Sequence, residues 1–333
     1  MAASDSSDRE ASMALTPQTP GTGAAWVAPP APSRWQRFTS RESLTGLAFV
    51  GPFIFGFVVF SALPMLASLV LSFTDFDPRR VDELQFIGLD NYARMLRDPI
   101  LLESLWVTVR FALIVVPLTL GFSLAVALLV NSTLLAGRNV FRTLFYMPMQ
   151  IPIVASTIVW IGVLNAQNGW LNYGLGAIGI DGPNWLQSPT WVGPSLALMG
   201  RWGIGNMMLI FLAGLQSVPT ELYDAAKVDG AGAWGRFRNV TLPMISPVLF
   251  YNVIISLIAT FQYFTQAYVI SNGRGDPDRA TLFFNLNLFR EAFTFFNMGY
   301  ASALAWLLFV IVLGLTILLF KTAGSWVFEG SER

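Results

Sequence analysis

The sequence predicts an all-α polytopic membrane protein with six transmembrane helices. Apolar residues make up 54% of the 333 residues and charged residues only 12%, about half of the charged share in an average soluble domain. Six apolar segments are long enough to cross a bilayer, for which a helix needs about 20 residues. Because backbone polar groups in lipid must bond internally, we expect these segments to be helices.

Each predicted span is one of these segments, taken in chain order. They are Leu44–Leu71, Leu105–Val130, Phe141–Leu164, Val192–Leu215, Met244–Ile270 and Tyr300–Phe320. Proline lacks a backbone N–H and disturbs a helix, so prolines inside the spans predict kinks or broken ends. These prolines include Pro52, Pro64, Pro117, Pro148 and Pro152.

The first residues differ from the rest of the chain. Residues 1–40 are rich in Ala, Ser, Thr and Pro, a composition that cannot bury a core, and they predict a disordered cytoplasmic tail. Residues 41–333 are then the transmembrane domain. Basic residues flank the spans on the side of the N-terminus, while the loop Asn165–Trp191 carries neither Lys nor Arg. The positive-inside rule therefore predicts that both termini and the loop 218–243 are cytoplasmic.

Several function classes are disfavoured by the residues that are missing. The chain has no Cys and no His, which removes thiolate chemistry, the usual general base and the commonest metal ligands. It has no GxxxxGK[ST] phosphate loop, and its net charge of zero does not suggest a nucleic-acid partner. The spans hold no Asp or Glu, which disfavours a proton symporter but leaves a sodium carrier open. Arg110 and Arg201 lie in the outer parts of their spans, where snorkelling to the interface accounts for them.

A polar island separates the fourth and fifth spans. We expect a short helix after Pro219 with Thr220 as its N-cap, then a turn at Gly230, and Pro243 before the fifth span. On chemistry alone an ordinary connecting loop is equally compatible with this pattern. The island reads Asp224-Ala225-Ala226, Asp229-Gly230-Ala231, Phe237 and Leu242-Pro243.

These residues resemble the "EAA" loop of binding-protein-dependent ABC sugar importer permeases, of the maltose and glycerol-phosphate type. The family pattern is close to E-A-A-x-x-D-G-A-x(5)-F-x-x-x-x-L-P, and Asp224 replaces its Glu while keeping the charge. Phe86–Tyr92 and Asn168–Asn172 also resemble family segments, "FVGLxNY" and "GxxN". The similarity thus covers most of residues 44–320.

The resemblance implies an ABC type I importer permease fold and a pore subunit that is not an enzyme. It implies a second homologous permease, two ATPase subunits and an extracytoplasmic solute-binding protein as partners in a bacterial or archaeal inner membrane. ATP and Mg would bind to the ATPase, and this chain would bind no cofactor. The loop would be the contact with the ATPase. The alternatives are a secondary solute carrier that works alone and a structural membrane subunit without a pore.

Polar residues in the fourth and fifth spans predict a path for a carbohydrate or related polar solute. Ser256, Thr260 and Tyr263 are four and three residues apart, which places them on one helix face. Packing between helices is an equally good explanation for them. The rest of the predicted path consists of Trp202, Gly203, Asn206 and Gln262.

Overall fold

A computed structural model describes residues 41–132 and 135–328, and the predicted tail of residues 1–40 lies outside the described residues. The described part is helical and contains no β-strand beyond one isolated bridge between Thr74 and Phe86. Its residues fall into two units, divided between Ala62 and Leu63. The all-α prediction is confirmed.

The first unit is the helix α1, Arg41–Phe57, followed by the π-helical turn Val58–Ala62. Pro52 lies inside α1 without ending it. The side chains of Phe49, Phe53 and Phe60 are 84%, 74% and 77% exposed. Apolar side chains with so little cover within their own chain need lipid or a partner subunit around them.

The second unit is built around one long helix, α4, at Pro99–Asn131. Pro99 at its first turn and the Asp98 side chain, which accepts from the Ile100 and Leu101 amides, begin the helix. Pro117 lies inside it without ending it. The other helices before the polar island are α2 Leu63–Leu71, α3 Asp90–Met95, α5 Arg138–Tyr146, α6 Ile153–Val163, α7 Trp170–Ala177, α8 Val192–Trp202 and α9 Gly205–Gln216.

The rest of the second unit contains the polar island and the last two spans. The helices are α10 Thr220–Val228, α11 Ala233–Arg236, α12 Leu242–Met244, α13 Ser246–Phe261, α14 Thr265–Ser271, α15 Phe284–Phe289 and α16 Met298–Ala323. Two π-helical turns, Phe237–Thr241 and Arg290–Thr294, precede α12 and follow α15.

Four helical stretches among the described residues are long and apolar enough to cross a membrane, and there are six if each of two bent pairs is one span. The third predicted span is the more strongly bent, by 102° between Arg138–Gln150 and Ile153–Val163. Pro148 and Pro152 stand at this break, as their missing N–H groups predict. The fourth span bends by 56° between Trp202 and Gly205, where the sequence has no proline that would predict a bend. The single stretches are Ala48–Leu71, Pro99–Asn131, Ser246–Ser271 and Met298–Ala323.

The buried core consists of three apolar clusters, and α4 contributes to all of them. Near its start Leu101 and Ala112 pack with Tyr300 and Leu304 of α16. Phe111 packs with α8 and with the segment before α15. Near its end Val126 and Val130 pack with α9 and with Ile245. The polar island thus leaves the bundle beside the last of these clusters.

Candidate functional site

The polar island folds as two short helices joined by a tight turn. Helix α10 begins at Thr220, but Pro219 is the N-cap and no side chain caps the helix. The expectation that Thr220 is the N-cap is therefore wrong, because Pro219 already occupies the position before the first helical residue. The helix ends at a Schellman motif: the Ala231 amide donates to the Ala226 carbonyl at 2.8 Å and the Gly230 amide to the Lys227 carbonyl at 3.0 Å.

Gly230 is the residue that makes this turn possible. Its φ is +78°, in the left-handed region that costs an L-residue about 1–2 kcal/mol. Nothing lies within 4 Å of the position a Cβ would occupy there, so the demand for glycine comes from the backbone and not from crowding. The predicted glycine break is confirmed.

One face of the island is anchored to the bundle. The Tyr223 hydroxyl and Thr241 Oγ1 are 3.1 Å apart, which joins the first helix of the island to its last turn. Tyr223 and Val240 pack against the apolar cluster that contains Leu215 and Ile245. The ends of the island are thereby packed against residues of the fourth and fifth spans.

The opposite face of the island is open. Asp224 and Ala225 are exposed, and among the described residues the Asp224 carboxylate pairs with Lys227 alone, at 2.7 Å on the same helix. An exposed pair of this kind is worth little, so the carboxylate is available to another molecule. Val228 is 88% exposed and Trp234 71% exposed.

Val228 and Trp234 were not among the predicted site residues. Neither belongs to a helical period long enough to show which way it faces, so no pattern in the sequence singles them out. Trp234 stacks on Phe237 with ring centroids 5.4 Å apart, which fixes the indole on the open face. Exposed apolar side chains beside charged ones are typical of protein-binding surfaces. We call Asp224, Ala225, Val228 and Trp234 the docking face.

The predicted solute-path residues are only partly brought together. Ser256 and Thr260 are buried on α13, and Thr260 Oγ1 donates to the Ser256 carbonyl at 2.7 Å within the same helix. Asn252, one helical turn before Ser256, is buried as well. The argument that Tyr263 continues this face is wrong, because α13 ends at Phe261 and Tyr263 lies in the break before α14. The Tyr263 ring instead packs between Phe111 and Phe283, with centroids 5.0 and 4.9 Å away.

Two of these buried polar groups have no partner. Asn252 Nδ2 and the Tyr263 hydroxyl form no hydrogen bond with any described residue. A buried group left unpaired costs about 1–3 kcal/mol, so each of these atoms has an unmet demand that a solute or water would satisfy.

The remaining path residues lie nearer to the surface. Gly203 and Asn206 are exposed at the bend of the fourth span, and Trp202 is half-buried, edge-on to Trp160 at 6.0 Å. Gln262 is exposed, and its carbonyl accepts from Asn285 at 3.2 Å. No hydrogen bond between described residues joins Asn206 to α13 or Tyr263.

The two other segments that carry the resemblance are structural ties. Asn91 Nδ2 donates to the Ser72 and Thr74 carbonyls at 2.9 and 2.8 Å, which holds the end of α2 against α3. Asn172 accepts from Trp185 Nε1 at 2.6 Å and donates to the Ala166 carbonyl at 3.0 Å. Both asparagines fix loops at the ends of spans and leave the site itself to other residues. No cluster of potential metal ligands occurs in the part of the chain that the structure describes.

Comparisons with known proteins agree with this geometry. Residues 118–325 match the family model described as "Binding-protein-dependent transport system inner membrane component". The chain is 43% identical over 301 residues to the "Probable ABC transporter permease protein YesP" of Bacillus subtilis (strain 168), covering 89% of this chain and 96% of that protein. It is 35% identical to the "Lactose transport system permease protein LacF" of Rhizobium radiobacter, over 86% of this chain and 98% of that one.

A third relative is the "Trehalose/maltose transport system permease protein MalF" of Thermococcus litoralis, at 33% identity over 84% of this chain and 94% of that protein. Among solved structures, a chain of a bacterial alginate ABC transporter, crystallised with an alginate pentasaccharide-bound periplasmic protein, superposes with a TM-score of 0.72. Identity to that chain is 20%, with 87% of this chain and 96% of that chain covered. At this identity the similarity concerns the fold.

Proposed function

We propose that this chain, which belongs to the family of binding-protein-dependent transport system inner membrane components, couples the motion of partner ATPase subunits to alternating access of a carbohydrate path. Family membership makes it a multi-pass permease subunit of an ABC importer. Relatives named for lactose and for trehalose or maltose support a sugar or a related polar solute as the cargo.

The docking face is the single observation that carries the coupling proposal. Its exposed Asp224, Val228 and Trp234 stand on an element whose first helix and last turn are joined by the Tyr223–Thr241 contact. Tyr223 and Val240 pack this element against the cluster that contains residues of the fourth and fifth spans. A force applied to the docking face is therefore transmitted to the bundle instead of being absorbed in a loose loop. ATP binding would close the two ATPases, move the island as a lever, and turn the spans from inward-open to outward-open.

The family-matched residues on the island and the exposed ones beside them would share this work. Asp224, Ala225 and Ala226 would enter a groove on the ATPase, since small side chains allow close approach. Asp229, Gly230 and Ala231 would hold the turn. The last part, Phe237, Leu242 and Pro243, would carry the motion into the fifth span. ATP and Mg would be bound by the ATPases, and a second, homologous permease would complete the pore.

The solute would pass the unpaired polar atoms of α13 and the break that follows it. Asn252 and Tyr263 offer buried hydrogen-bonding groups without partners, and Ser256 and Thr260 lie between them on the chain. Trp202, Gly203, Asn206 and Gln262 would form the rest of the path near the bends, where a change of bend opens one side. A binding protein would deliver solute at the loops opposite the docking face.

The test of coupling is charge reversal on the docking face. Asp224→Lys should leave the subunit inserted but weaken coupling by at least about tenfold, because like charges brought together at an interface cost several kcal/mol. Coupling is measured as solute-stimulated ATP hydrolysis and uptake in proteoliposomes that contain the whole complex. Asp181→Lys, an exposed carboxylate in the Asn165–Trp191 loop, is the matched control. Equal uptake by both variants contradicts the coupling role. Uptake that needs only an ion gradient and no ATPase would favour a secondary carrier.

The orientation is tested by thiol labelling, since the chain has no Cys. A membrane-impermeant reagent should modify Ser188→Cys in intact cells and leave Ala233→Cys unmodified until the cells are opened. The reverse pattern would place the docking face on the side away from cytoplasmic ATPases.

A further inference from the structure

Two arginines line a groove in the bundle wall beside Phe111 and Phe283, the rings that hold Tyr263 of the proposed solute path. The groove lies between α4 and α8 and has a volume of about 540 Å³. Arg110 and Arg201 both line it, and no acidic or amide side chain does among the described residues that form its wall. None of the ion pairs in the described part of the chain includes either arginine.

The demand of Arg201 for an acceptor is poorly met within the protein. Its Nε is buried and forms no hydrogen bond with any described residue. One Nη donates to the Val115 carbonyl at 3.5 Å, the long limit of a hydrogen bond. A charged group inside a membrane span is costly and is retained where a charge or a polar ligand pairs with it. The groove therefore suits a ligand that offers anionic or carbonyl oxygens to the two arginines.

The rest of the groove is apolar and suits a hydrocarbon chain. Ile114, Leu118 and Phe122 follow Arg110 at four-residue spacing along α4, so they form one row beneath it. They are 51%, 53% and 43% exposed although they face the groove. The row runs about 18 Å from Arg110 to Phe122 at the rise of an α-helix, close to the roughly 15 Å depth of one leaflet's hydrocarbon.

Tryptophans set the level of the arginines in the bilayer. Trp106 lies one helical turn before Arg110, lines the groove and is 61% exposed. Trp191, which precedes α8, is 40% exposed. Exposed tryptophans concentrate at the boundary between headgroups and hydrocarbon. The Arg110 side chain leans toward the N-terminus of α4 and so toward this boundary, while the Arg201 guanidinium lies deeper, at the Val115 carbonyl.

We propose that the groove binds one anionic glycerophospholipid. Its phosphate pairs with Arg110, an ester carbonyl of its glycerol accepts from the deeper Arg201, and one acyl chain lies along Ile114, Leu118 and Phe122. A saccharide is a poorer fit, because its many hydroxyls would meet an apolar wall with Thr190 as its one hydroxyl side chain. The lipid would brace α8 against α4 just before the 56° bend between Trp202 and Gly205.

The test is lipid binding by the assembled complex, measured by native mass spectrometry after delipidation and titration with phosphatidylglycerol or phosphatidylethanolamine. Wild type should bind one phosphatidylglycerol in preference to phosphatidylethanolamine. Arg110→Gln or Arg201→Gln should weaken that binding about fivefold each, and the double variant about 25-fold. Arg97→Gln, which removes an exposed arginine three residues after Arg94 and outside the groove, should change nothing.

A second variant separates charge from shape. A Cβ added at Gly193, which lines the groove, meets nothing within 4 Å, so Gly193→Leu should fill the groove without disturbing α8. It should reduce phosphatidylglycerol binding while both arginines remain. Equal binding of the two lipids, or unchanged binding in Gly193→Leu and the double arginine variant, overturns the proposal. Displacement of the lipid by transported solute would also overturn it and would assign the groove to the solute. Binding by the free subunit that is lost in the complex would overturn it too and would assign the groove to the second permease.

Discussion

Replacing Gly230 by alanine tests the backbone conformation of the turn in the polar island, because it leaves the charges and the other side chains of the island unchanged. The φ of +78° costs an alanine about 1–2 kcal/mol, and the absence of any atom within 4 Å of its Cβ means that no clash adds to this. The two hydrogen bonds of the Schellman motif at 2.8 and 3.0 Å depend on that conformation. In Gly230→Ala the exposed turn will be destabilised in the free subunit and would have to be restored on binding of the proposed ATPase partner.

The expected result is a loss of coupling by a factor of about 5 to 30, which is the equivalent of 1–2 kcal/mol. The assay is ATP hydrolysis stimulated by the solute-loaded binding protein, together with uptake, by the complete complex in proteoliposomes. Gly230→Asn should recover most of the loss, because asparagine tolerates the left-handed region better than alanine does.

The matched control is two residues away. Gly232 is also exposed and has no atom within 4 Å of its Cβ position, but its φ of −66° and ψ of 176° suit any residue. Gly232→Ser should change coupling less than about twofold, because Gly232 is the N-cap of α11, where serine is at least as favourable as glycine. Equal losses in Gly230→Ala and Gly232→Ser, or no recovery in Gly230→Asn, would refute the reasoning from backbone conformation.

The remaining predictions concern packing, pH and the solute path. Gly205→Ala should destabilise the subunit by about 1–3 kcal/mol, because its Cβ would lie 2.7 Å from the backbone of α5. The control is Gly200→Ala, where nothing lies within 4 Å of the Cβ position. Equal melting temperatures of the two variants would contradict the close helix contact. The Arg79 guanidinium and amide, by hydrogen bonds and charge, hold the pKa of Asp77 far below its usual value. Because the folded pKa of Asp77 is lowered, the stability difference between wild type and Asp77→Asn should be constant above about pH 4 and shrink at lower pH. A stability difference that grows on acidification, measured by thermal unfolding, would be inconsistent with the Asp77–Arg79 pair. Tyr263→Phe should lower uptake about two- to tenfold without lowering stability, and unchanged uptake would indicate that this hydroxyl does not contact solute.

The family and the membrane class were readable from local sequence. The resemblance drawn from Asp224–Ala226, Asp229–Ala231 and Leu242–Pro243 is confirmed by the family match over residues 118–325. These residues are close in the chain and meet local demands: a charge on an exposed helix, a left-handed turn, and a proline before a new helix. Such local features can be predicted from neighbouring residues in the sequence, without knowledge of contacts that are distant in the chain.

The solute path shows where local reasoning failed. Ser256, Thr260 and Tyr263 have helical spacing, yet the helix ends at Phe261. Tyr263 is held instead between Phe111 of α4 and Phe283 before α15, residues about 150 and 20 positions away. Spacing assumes that a helix continues, whereas here the helix ends at Phe261 and the Tyr263 ring packs among aromatic side chains from other parts of the chain.

The sequence by itself determined the six apolar stretches, the predicted breaks at Pro148 and Pro152, and the glycine turn of the island, because hydrophobicity, a missing N–H and a positive φ are properties of single residues and their neighbours. Only the tertiary structure decided that the fourth span bends where Gly205 meets the backbone of α5, that Val228 and Trp234 face outward, and that Arg110 and Arg201 share one groove. The bend and the shared groove depend on contacts between helices that are far apart in the chain. The direction of a side chain on a short helix is set by what that helix packs against.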